Sequence, residues 1–295
     1  MTTQFDGMTV SELYKSCCDA LSENGIGNAE NEARFIIQKA LRCDQTAFLL
    51  NKGAVTEPCV VDRAVNMVHR RIRREPLQYV LGEWDFFGYT FKVGEGVLAP
   101  RPETEELCSL VIDRIDKCKA GLTVFDLCSG TGCIGISLKK TLPLLDVYLV
   151  EYSDEALGYL NENRISLGVA RSVPAIKGDV LKGYEAFGFL PRPDIIVSNP
   201  PYISTFELPL LQTEVKKEPD VALDGGEDGL VFYRALAEKW LPYLNEGGFI
   251  AVECGDEQAD DVAAMFSEYS GDISIIKDFN GIDRFVIAGK EKYDI

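Results

Sequence analysis

The fold is decided by residues 123–135, which read TVFDLCSGTGCIG. The first five form an apolar run typical of a buried strand, and a glycine-punctuated loop then leads into a helical segment at 132–141. Gly130 and Gly132 allow a tight turn and the close approach of a ligand, while the following helix offers unpaired backbone N–H groups. No Lys-Ser/Thr pair follows the loop, so this is not a P-loop.

The same alternation of apolar runs and helical segments continues on both sides of this stretch. Strands are predicted at 123–127, 147–151, 173–177, 194–198, 248–253, 273–277 and 284–288. Helices are predicted at 103–118, 132–141, 153–167 and 229–244. Strands separated by helices predict a doubly wound, mostly parallel, seven-stranded α/β sheet. The last two strands are joined by residues 278–283 alone, too few for a crossover helix, so they are expected to pair antiparallel.

The chain before this sheet differs in character. The first 75 residues read as helices, in which Thr9 with Glu12 forms a capping box and Asn28 is placed to cap a second helix. A third helical pattern runs into the basic segment Arg70–Arg74, which holds four arginines. This run is either a nucleic-acid contact or, as we prefer, a solvated helix end whose charges suit the helix dipole.

Length and charge divide the 295 residues further. We predict a helical substrate-recognition domain at 1–75, a β-hairpin connector rich in aromatic residues and glycine at 76–98, and an α/β domain at 99–295. Residues 1–99 carry 11 basic and 13 acidic side chains, whereas residues 100–295 carry 19 and 34, which places 15 of the 17 net negative charges in the second part. Such a surface repels a phosphate backbone, so we expect no direct contact with nucleic acid.

Other classes of protein are excluded by composition. No run approaches the roughly 18–20 apolar residues of a membrane span, and the first ten residues have neither the basic start nor the apolar run of a signal peptide. We therefore expect a cytoplasmic protein without membrane contact. Nine scattered cysteines without a CxxC pair, and a single histidine, His69, make a metal site improbable and predict reduced thiols.

Acidic side chains follow the predicted strands at the edge where ligands of such sheets bind. Glu151 ends the second strand, 25 residues after Asp126, where a carboxylate can accept hydrogen bonds from ribose hydroxyls. Asp179 and Val180 follow the third strand, where a carboxylate can meet an adenine amino group. Each feature alone is commonly structural, but their succession favours an adenosine-containing ligand.

The fourth strand ends in the sharpest feature of the sequence, Ser198-Asn199-Pro200-Pro201-Tyr202. The two prolines remove two N–H donors and stiffen the turn. The Asn199 side-chain oxygen and the Pro200 carbonyl are thereby left as fixed acceptors, with Tyr202 as a flat wall. Two acceptors beside an aromatic ring suit a planar –NH2 group.

Together these residues resemble the S-adenosylmethionine-dependent methyltransferases that modify planar nitrogens. Further segments narrow the resemblance to the peptide chain release factor glutamine methyltransferases (the HemK/PrmC family). These segments are Gln78–Gly82, Leu98–Glu105, Glu218-Pro219, Ala222–Gly226, Asp228–Leu230 and Glu253–Gly255 with Gln258. The resemblance extends over nearly the whole chain and is weakest in the first 75 residues.

The resemblance implies methylation of the glutamine side-chain amide in the Gly-Gly-Gln motif of class 1 release factors. It implies S-adenosylmethionine as cofactor, S-adenosylhomocysteine as product and no metal, and we expect a monomer. The catalytic residues would be Asn199, Pro200 and Tyr202, and Pro201 would join them in binding the substrate. The cofactor would be held by Asp126, Cys128, Ser129, Gly130, Thr131, Gly132, Glu151, Asp179, Val180 and Asn199.

Three alternatives stay open. A glutamine methyltransferase acting on a ribosomal protein would share the same loop. So would an adenine-N6 methyltransferase of DNA or RNA, which the acidic charge disfavours because such an enzyme must hold a polyanion. A cofactor-binding adaptor without catalysis is the third.

Two features of the expected site differ from the family pattern or allow two interpretations. Many members of the family have glycine where this chain has Cys128, so the loop geometry could differ here. Arg101, Glu103 and Thr104 fit a wall of the pocket and a helix N-terminus equally well.

Overall fold

The structure, a computed structural model, describes residues 7–115 and 121–290. The chain forms two compact units. One contains the residues up to Glu83 together with Thr213–Lys217, and the other contains Trp84–Gln212 together with the residues from Glu218 onward. The boundary at Glu83 lies inside the segment predicted as the connector. The last three residues of the helix predicted at 103–118, Cys118 among them, lie outside the described residues.

The first unit consists of helices α1 (Val10–Glu23), α2 (Ala29–Leu41), α3 (Gln45–Leu50), α4 (Pro58–Ile72) and α5 (Leu77–Leu81). The capping box is confirmed, because Thr9 Oγ1 accepts from the Glu12 N–H while Glu12 Oε2 accepts from the Thr9 N–H. Asn28 precedes α2 as predicted, but its side chain makes no cap bond. Its Oδ1 accepts from Asn31 Nδ2 at 2.8 Å instead.

The arginine run lies at the C-terminal end of α4, as our preferred interpretation predicted, and Arg73 is exposed there, but the run is not solvated throughout. Arg71 is only 7% exposed, and its guanidinium pairs with Glu32 at 2.6 Å and with Glu214 at 3.0 Å. Arg74 also pairs with Glu214, at 3.2 Å, and Arg70 pairs with another glutamate of this unit. A guanidinium is buried only where carboxylates compensate it, so these arginines stabilise the unit itself.

The segment predicted as a β-hairpin connector at 76–98 contains a hairpin, and a short helix precedes it. Residues 77–81 form α5, which ends at Gly82 in the left-handed conformation (φ 72°). Strands β1 (Glu83–Phe86) and β2 (Tyr89–Lys92) then pair as a two-stranded sheet. Phe87 and Gly88 between them both have positive φ, 51° and 78°, as a tight two-residue hairpin turn requires.

The second unit is built on the predicted seven-stranded sheet. Its strands are β3 (Thr123–Leu127), β4 (Asp146–Glu151), β5 (Ala175–Lys177), β6 (Ile195–Ser198), β7 (Phe249–Glu253), β8 (Asp272–Lys277) and β9 (Asp283–Gly289). They lie in the order β5-β4-β3-β6-β7-β9-β8, and only β9 runs antiparallel to its neighbours. The α/β fold class and the antiparallel pairing of the last two strands are therefore confirmed.

Helices cover both faces of this sheet. They are α6 (Pro102–Arg114), α7 (Cys133–Thr141), α8 (Asp154–Ser166), α9 (Val231–Lys239) and α10 (Ala259–Ser267). The helix predicted at 229–244 ends at Lys239, and Pro242 then lies in a separate 3-10 turn because proline has no N–H with which to continue a helix. Successive β3 residues alternate between two cores, so that Val124 packs with one and Phe125 with the other.

The strand order reverses between β3 and β6, and their carboxyl ends form the edge where ligands bind in such sheets. Within residues 7–115 and 121–290, no helix combines the length and the apolarity needed to cross a membrane.

Candidate active site

A cavity of about 460 Å³ opens in the second unit beyond the carboxyl ends of β3 to β6. It brings together most of the residues that the sequence placed there. The predicted residues that line it are Cys128, Ser129, Gly130, Thr131, Glu151, Asp179, Val180, Asn199 and Pro201. The predicted residues that do not line it are Asp126, Gly132, Pro200 and Tyr202.

Glu151 organises the glycine loop from the end of β4. Its Oε2 accepts from the Gly130 N–H at 2.7 Å, and its Oε1 accepts from the N–H groups of Tyr152 at 2.8 Å and Ser153 at 2.7 Å. Burial nevertheless raises the pKa of Glu151 above its ordinary value, against the lowering effect of these three bonds. A carboxylate offers about four lone pairs, so one on Oε2 remains for a ligand.

Asp126 lies beneath the loop instead of facing the cavity. Its Oδ2 accepts from the Gly135 N–H at 2.8 Å, and a Cβ on Gly135 would lie 2.3 Å from a Leu149 methyl, so glycine is required for α7 to pack this closely. Oδ1 is buried without a hydrogen-bond partner among the described residues. Burial raises the pKa of Asp126 to about 7, and the nearby charge of Glu151 adds to the increase.

Cys128 takes a backbone conformation that favours glycine. Its φ is 60°, in line with 55° at Gly130 and 79° at Gly132. A side chain in this region costs roughly 1–2 kcal/mol, a cost that glycine does not incur. The loop therefore keeps its run of left-handed residues despite the Cβ. Burial raises the pKa of the Cys128 thiol well above its ordinary value, which keeps it protonated where it lines the cavity.

The third strand end contributes Asp179, whose Oδ1 accepts from the Leu181 N–H at 3.0 Å. This bond caps the 3-10 turn Val180–Lys182 and fixes the carboxylate at the cavity wall. The second carboxylate oxygen remains available to a donor on a ligand.

The loop after β6 is held by two later segments. The Tyr202 carbonyl accepts from Gln258 Nε2 at 2.9 Å, and Gln258 Oε1 accepts from the Gly255 N–H at 2.9 Å. A Cβ on Gly229 would lie 2.4 Å from the Tyr202 carbonyl oxygen, so only glycine permits this approach. Burial raises the pKa of the Tyr202 hydroxyl. Tyr202 is therefore neutral and rigidly placed in the loop after β6, although it does not line the cavity.

Asn199 Nδ2 donates to Thr104 Oγ1 at 3.0 Å, and the Thr104 hydroxyl in turn donates to Glu253 Oε2 at 2.7 Å. Arg101, one turn earlier in the chain, forms an ion pair with the buried Glu218. Arg101 and Thr104 line the cavity and also lie at the N-terminal end of α6, so both interpretations apply to them, while Glu103 is not among the lining residues.

Glu218, Glu253 and Gln258 have no individual role predicted from the sequence, although all three lie in segments that carry the resemblance. Pro219 and the glycine-rich segment after it also contribute to the cavity wall. A buried acidic residue within an otherwise apolar strand end is the signal that could have singled out Glu253. Within the described part of the chain, no group of His, Cys, Asp and Glu side chains is arranged to hold a metal ion.

The chain is similar to known proteins and to family models. Residues 12–82 match the family model described as PrmC N-terminal domain, and residues 90–246 match the Methyltransferase small domain. The release factor glutamine methyltransferase of Geobacter sulfurreducens is 40% identical over 98% of this chain and 99% of its own length. That of Thermodesulfovibrio yellowstonii is 37% identical over 88% of this chain and 92% of its own.

Among solved structures, a methyltransferase from Pyrococcus furiosus matches 78% of this chain and 98% of its own, with a TM-score of 0.53. At 18% identity this similarity concerns the fold alone.

Proposed function

The chain belongs to the release factor glutamine methyltransferase family, and from this premise we propose the reaction that its cavity performs. It transfers a methyl group from S-adenosylmethionine to the side-chain amide nitrogen of the glutamine in the Gly-Gly-Gln motif of class 1 peptide chain release factors. The observation that carries the proposal is the Asn199 side chain at the cavity wall. Its nitrogen donates a hydrogen bond to Thr104, while its oxygen has no hydrogen-bond partner among the described residues.

The residues at the strand ends fit the cofactor. The loop Cys128–Thr131, Glu151 and Asp179 line one continuous cavity of about 460 Å³. Glu151 retains one lone pair for a ribose hydroxyl, and it would accept from a second only by sharing or releasing one of its three N–H bonds. When bound, S-adenosylmethionine supplies a methyl group that its sulfonium has already activated, and S-adenosylhomocysteine is left.

The protein's task is then to position a weak nucleophile. An amide nitrogen reacts poorly because its lone pair is delocalised into the carbonyl. Asn199 Oδ1 and the Pro200 carbonyl accept the two amide hydrogens, orient the nitrogen and stabilise the positive charge that develops on it. Tyr202 holds the amide plane. The nitrogen becomes acidic as it forms the new bond and releases one proton to water or a carbonyl, so no strong base is required.

Charge favours a protein amide over a nucleobase as the acceptor. The same pair of acceptors would serve an adenine amino group, but residues 100–295 carry a net charge of −15, which opposes the approach of a polyanion. Three of the four arginines that could have offset this charge, Arg70, Arg71 and Arg74, are engaged in ion pairs within the first unit. We assign selection of the release factor to that helical unit, because the small cavity alone would not distinguish one glutamine from many others.

The experiment incubates the protein with methyl-labelled S-adenosylmethionine and a release factor, its Gly-Gly-Ala variant, a ribosomal protein fraction, rRNA or DNA. Label on the wild-type factor alone supports the proposal, and label on another acceptor or on none overturns it. Asn199→Ala should lower turnover on the order of 10²-fold or more while cofactor binding is kept, because it removes a preorganised acceptor. Turnover close to that of the wild type would contradict the role of Asn199.

A further inference from the structure

A buried hydrogen-bond chain extends from the Asn199 side chain through Thr104, which also lines the cavity, to Glu253, which does not. Asn199 Nδ2 lies 3.0 Å from Thr104 Oγ1, which lies 2.7 Å from Glu253 Oε2. Thr104 is 3% exposed and Glu253 is 2% exposed. The three residues come from the first turn of α6, the end of β6 and the end of β7, so three separate elements meet at one polar chain inside an apolar core.

The Glu253 carboxylate determines which group donates and which accepts in each of these hydrogen bonds. An ionised carboxylate only accepts hydrogen bonds, so the single hydroxyl proton of Thr104 must point to Glu253. The Thr104 oxygen then has only acceptor capacity left, and the group that faces it must be a donor. Asn199 therefore presents its –NH2 to Thr104 and its oxygen to the opposite side.

We propose that Thr104 and Glu253 are positioning residues for methyl transfer, which together fix the orientation of the Asn199 side-chain amide so that its oxygen faces the acceptor amide. This rests on the proposed function, in which Asn199 Oδ1 accepts one hydrogen of the glutamine amide. The turned-over Asn199 amide has the same shape but presents hydrogens to the hydrogens of the substrate, and it would repel the group to be methylated.

Several ionisable groups face Glu253 from the elements packed against it. The cations Arg101 and Arg284 favour its charged form, and the Glu103 carboxylate opposes it. The uncharged neighbours are Tyr202, Tyr233, Cys108 and Cys254. Burial raises the pKa of Glu253 to about 7, against the lowering effects of the Thr104 hydroxyl and Arg284. Once protonated, Glu253 can donate to Thr104, which releases the hydroxyl proton towards Asn199 and permits the turned-over amide.

Two nearly isosteric substitutions test the proposal in the full-length protein. Glu253→Gln introduces a donor, which allows both orientations of Asn199, and Thr104→Val removes the hydroxyl. At pH 8 each should lower kcat for release factor methylation by about 10-fold or more, while the dissociation constant of S-adenosylmethionine, measured by calorimetry, stays the same. Thr104→Ser, which restores the hydroxyl, should recover turnover relative to Thr104→Val.

The pH profile supplies a readout that a merely structural role would not change. The wild-type kcat should fall on the acid side as Glu253 is protonated, and this limb should be absent in Glu253→Gln. Unchanged kcat in Glu253→Gln, or equal losses of kcat and cofactor affinity in a folded variant, would overturn the proposal. The wild type and Asn199→Ala separate the two levels: no methylation of the release factor by the wild type would refute the proposed function, whereas an inactive Asn199→Ala beside a fully active Glu253→Gln would refute the positioning roles of Thr104 and Glu253 alone.

Discussion

Replacing Glu253 by glutamine should change how the stability of the protein depends on pH, whatever its effect on activity. The Glu253 carboxyl is 2% exposed, and burial raises its pKa from an ordinary 4.5 to about 7. Between these two values the folded protein holds a proton that the unfolded chain has released. The free energy of unfolding therefore falls as the pH rises through this window, because the native state must then bury a charge that water solvates well.

The magnitude follows from proton linkage. At pH 5 the native Glu253 carboxyl is almost fully protonated and the unfolded one mostly ionised, whereas at pH 7.5 both are largely ionised. Over this interval the linkage relation gives a loss of about 2 kcal/mol in the free energy of unfolding from this group alone. Asp126, whose pKa burial raises to about 7, adds a loss of the same sign in every variant that retains it.

Urea unfolding at pH 5.0 and 7.5, without cofactor, measures the effect as a difference of differences. Glu253→Gln has no carboxyl to titrate, so the change in its unfolding free energy between the two pH values should be about 2 kcal/mol smaller than that of the wild type. Glu268→Gln, the same chemical change at an exposed position, should follow the wild-type curve. If Glu253→Gln and the wild type depend on pH to the same extent, the carboxyl is ionised in the folded state and the reasoning fails.

Two further substitutions test the cofactor site and the first unit. Glu151→Ala should weaken S-adenosylmethionine binding about 10-fold or more in calorimetry, because it removes three backbone hydrogen bonds and the proposed ribose acceptor. Glu162→Ala, at an exposed position, is the control. An unchanged dissociation constant in Glu151→Ala refutes the assignment. Arg71→Met should lower the free energy of unfolding by about 2 kcal/mol, since it removes both ion pairs of a buried guanidinium and leaves the half-buried Glu32 carboxylate unpaired. Exposed Arg73→Met should change it by less than about 0.5 kcal/mol, and equal stability of the two variants contradicts a buried ion pair.

The sheet could be predicted because its strands are short apolar runs between helical segments, a pattern set by burial on both faces. The strand predicted at 173–177 begins only at Ala175, because Pro174 has no N–H to donate to the ladder. The sequence could not predict that β9 lies between β7 and β8, because antiparallel pairing of the last two strands is compatible with either of them lying beside β7. Helix α10 went unpredicted although Val262 and Phe266 repeat at helical spacing.

The first unit shows where local patterns mislead. The arginine run has the composition of a solvated basic surface, yet the buried Arg71 pairs with the carboxylates of Glu32 and Glu214. Both glutamates are far from Arg71 in sequence. Sequence spacing carries no information about such a pair. Likewise, Glu83 ends the first unit within a segment whose aromatic residues favour a strand, while Pro76 and Gly82 delimit a helical turn there.

The sequence predicts most of the residues that line the cavity, although Asp126, Gly132, Pro200 and Tyr202 do not line it, and it predicts no side-chain orientation. Prolines 200 and 201 stiffen the backbone, but a side-chain amide can turn over without changing its shape, so packing does not select one orientation. A threonine hydroxyl beside it does not select either, because it both donates and accepts. Only a hydrogen-bond acceptor that carries no proton removes this ambiguity, and the ionised Glu253 carboxylate is such an acceptor. Glu253 lies at the end of a different strand, and the local sequence around Asn199 does not reveal that the two are connected. In the proposed reaction, the loop that receives an uncharged amide would thus depend on a buried negative charge, and Glu253 would have a task separate from the repulsion of polyanions that we infer for the acidic second unit.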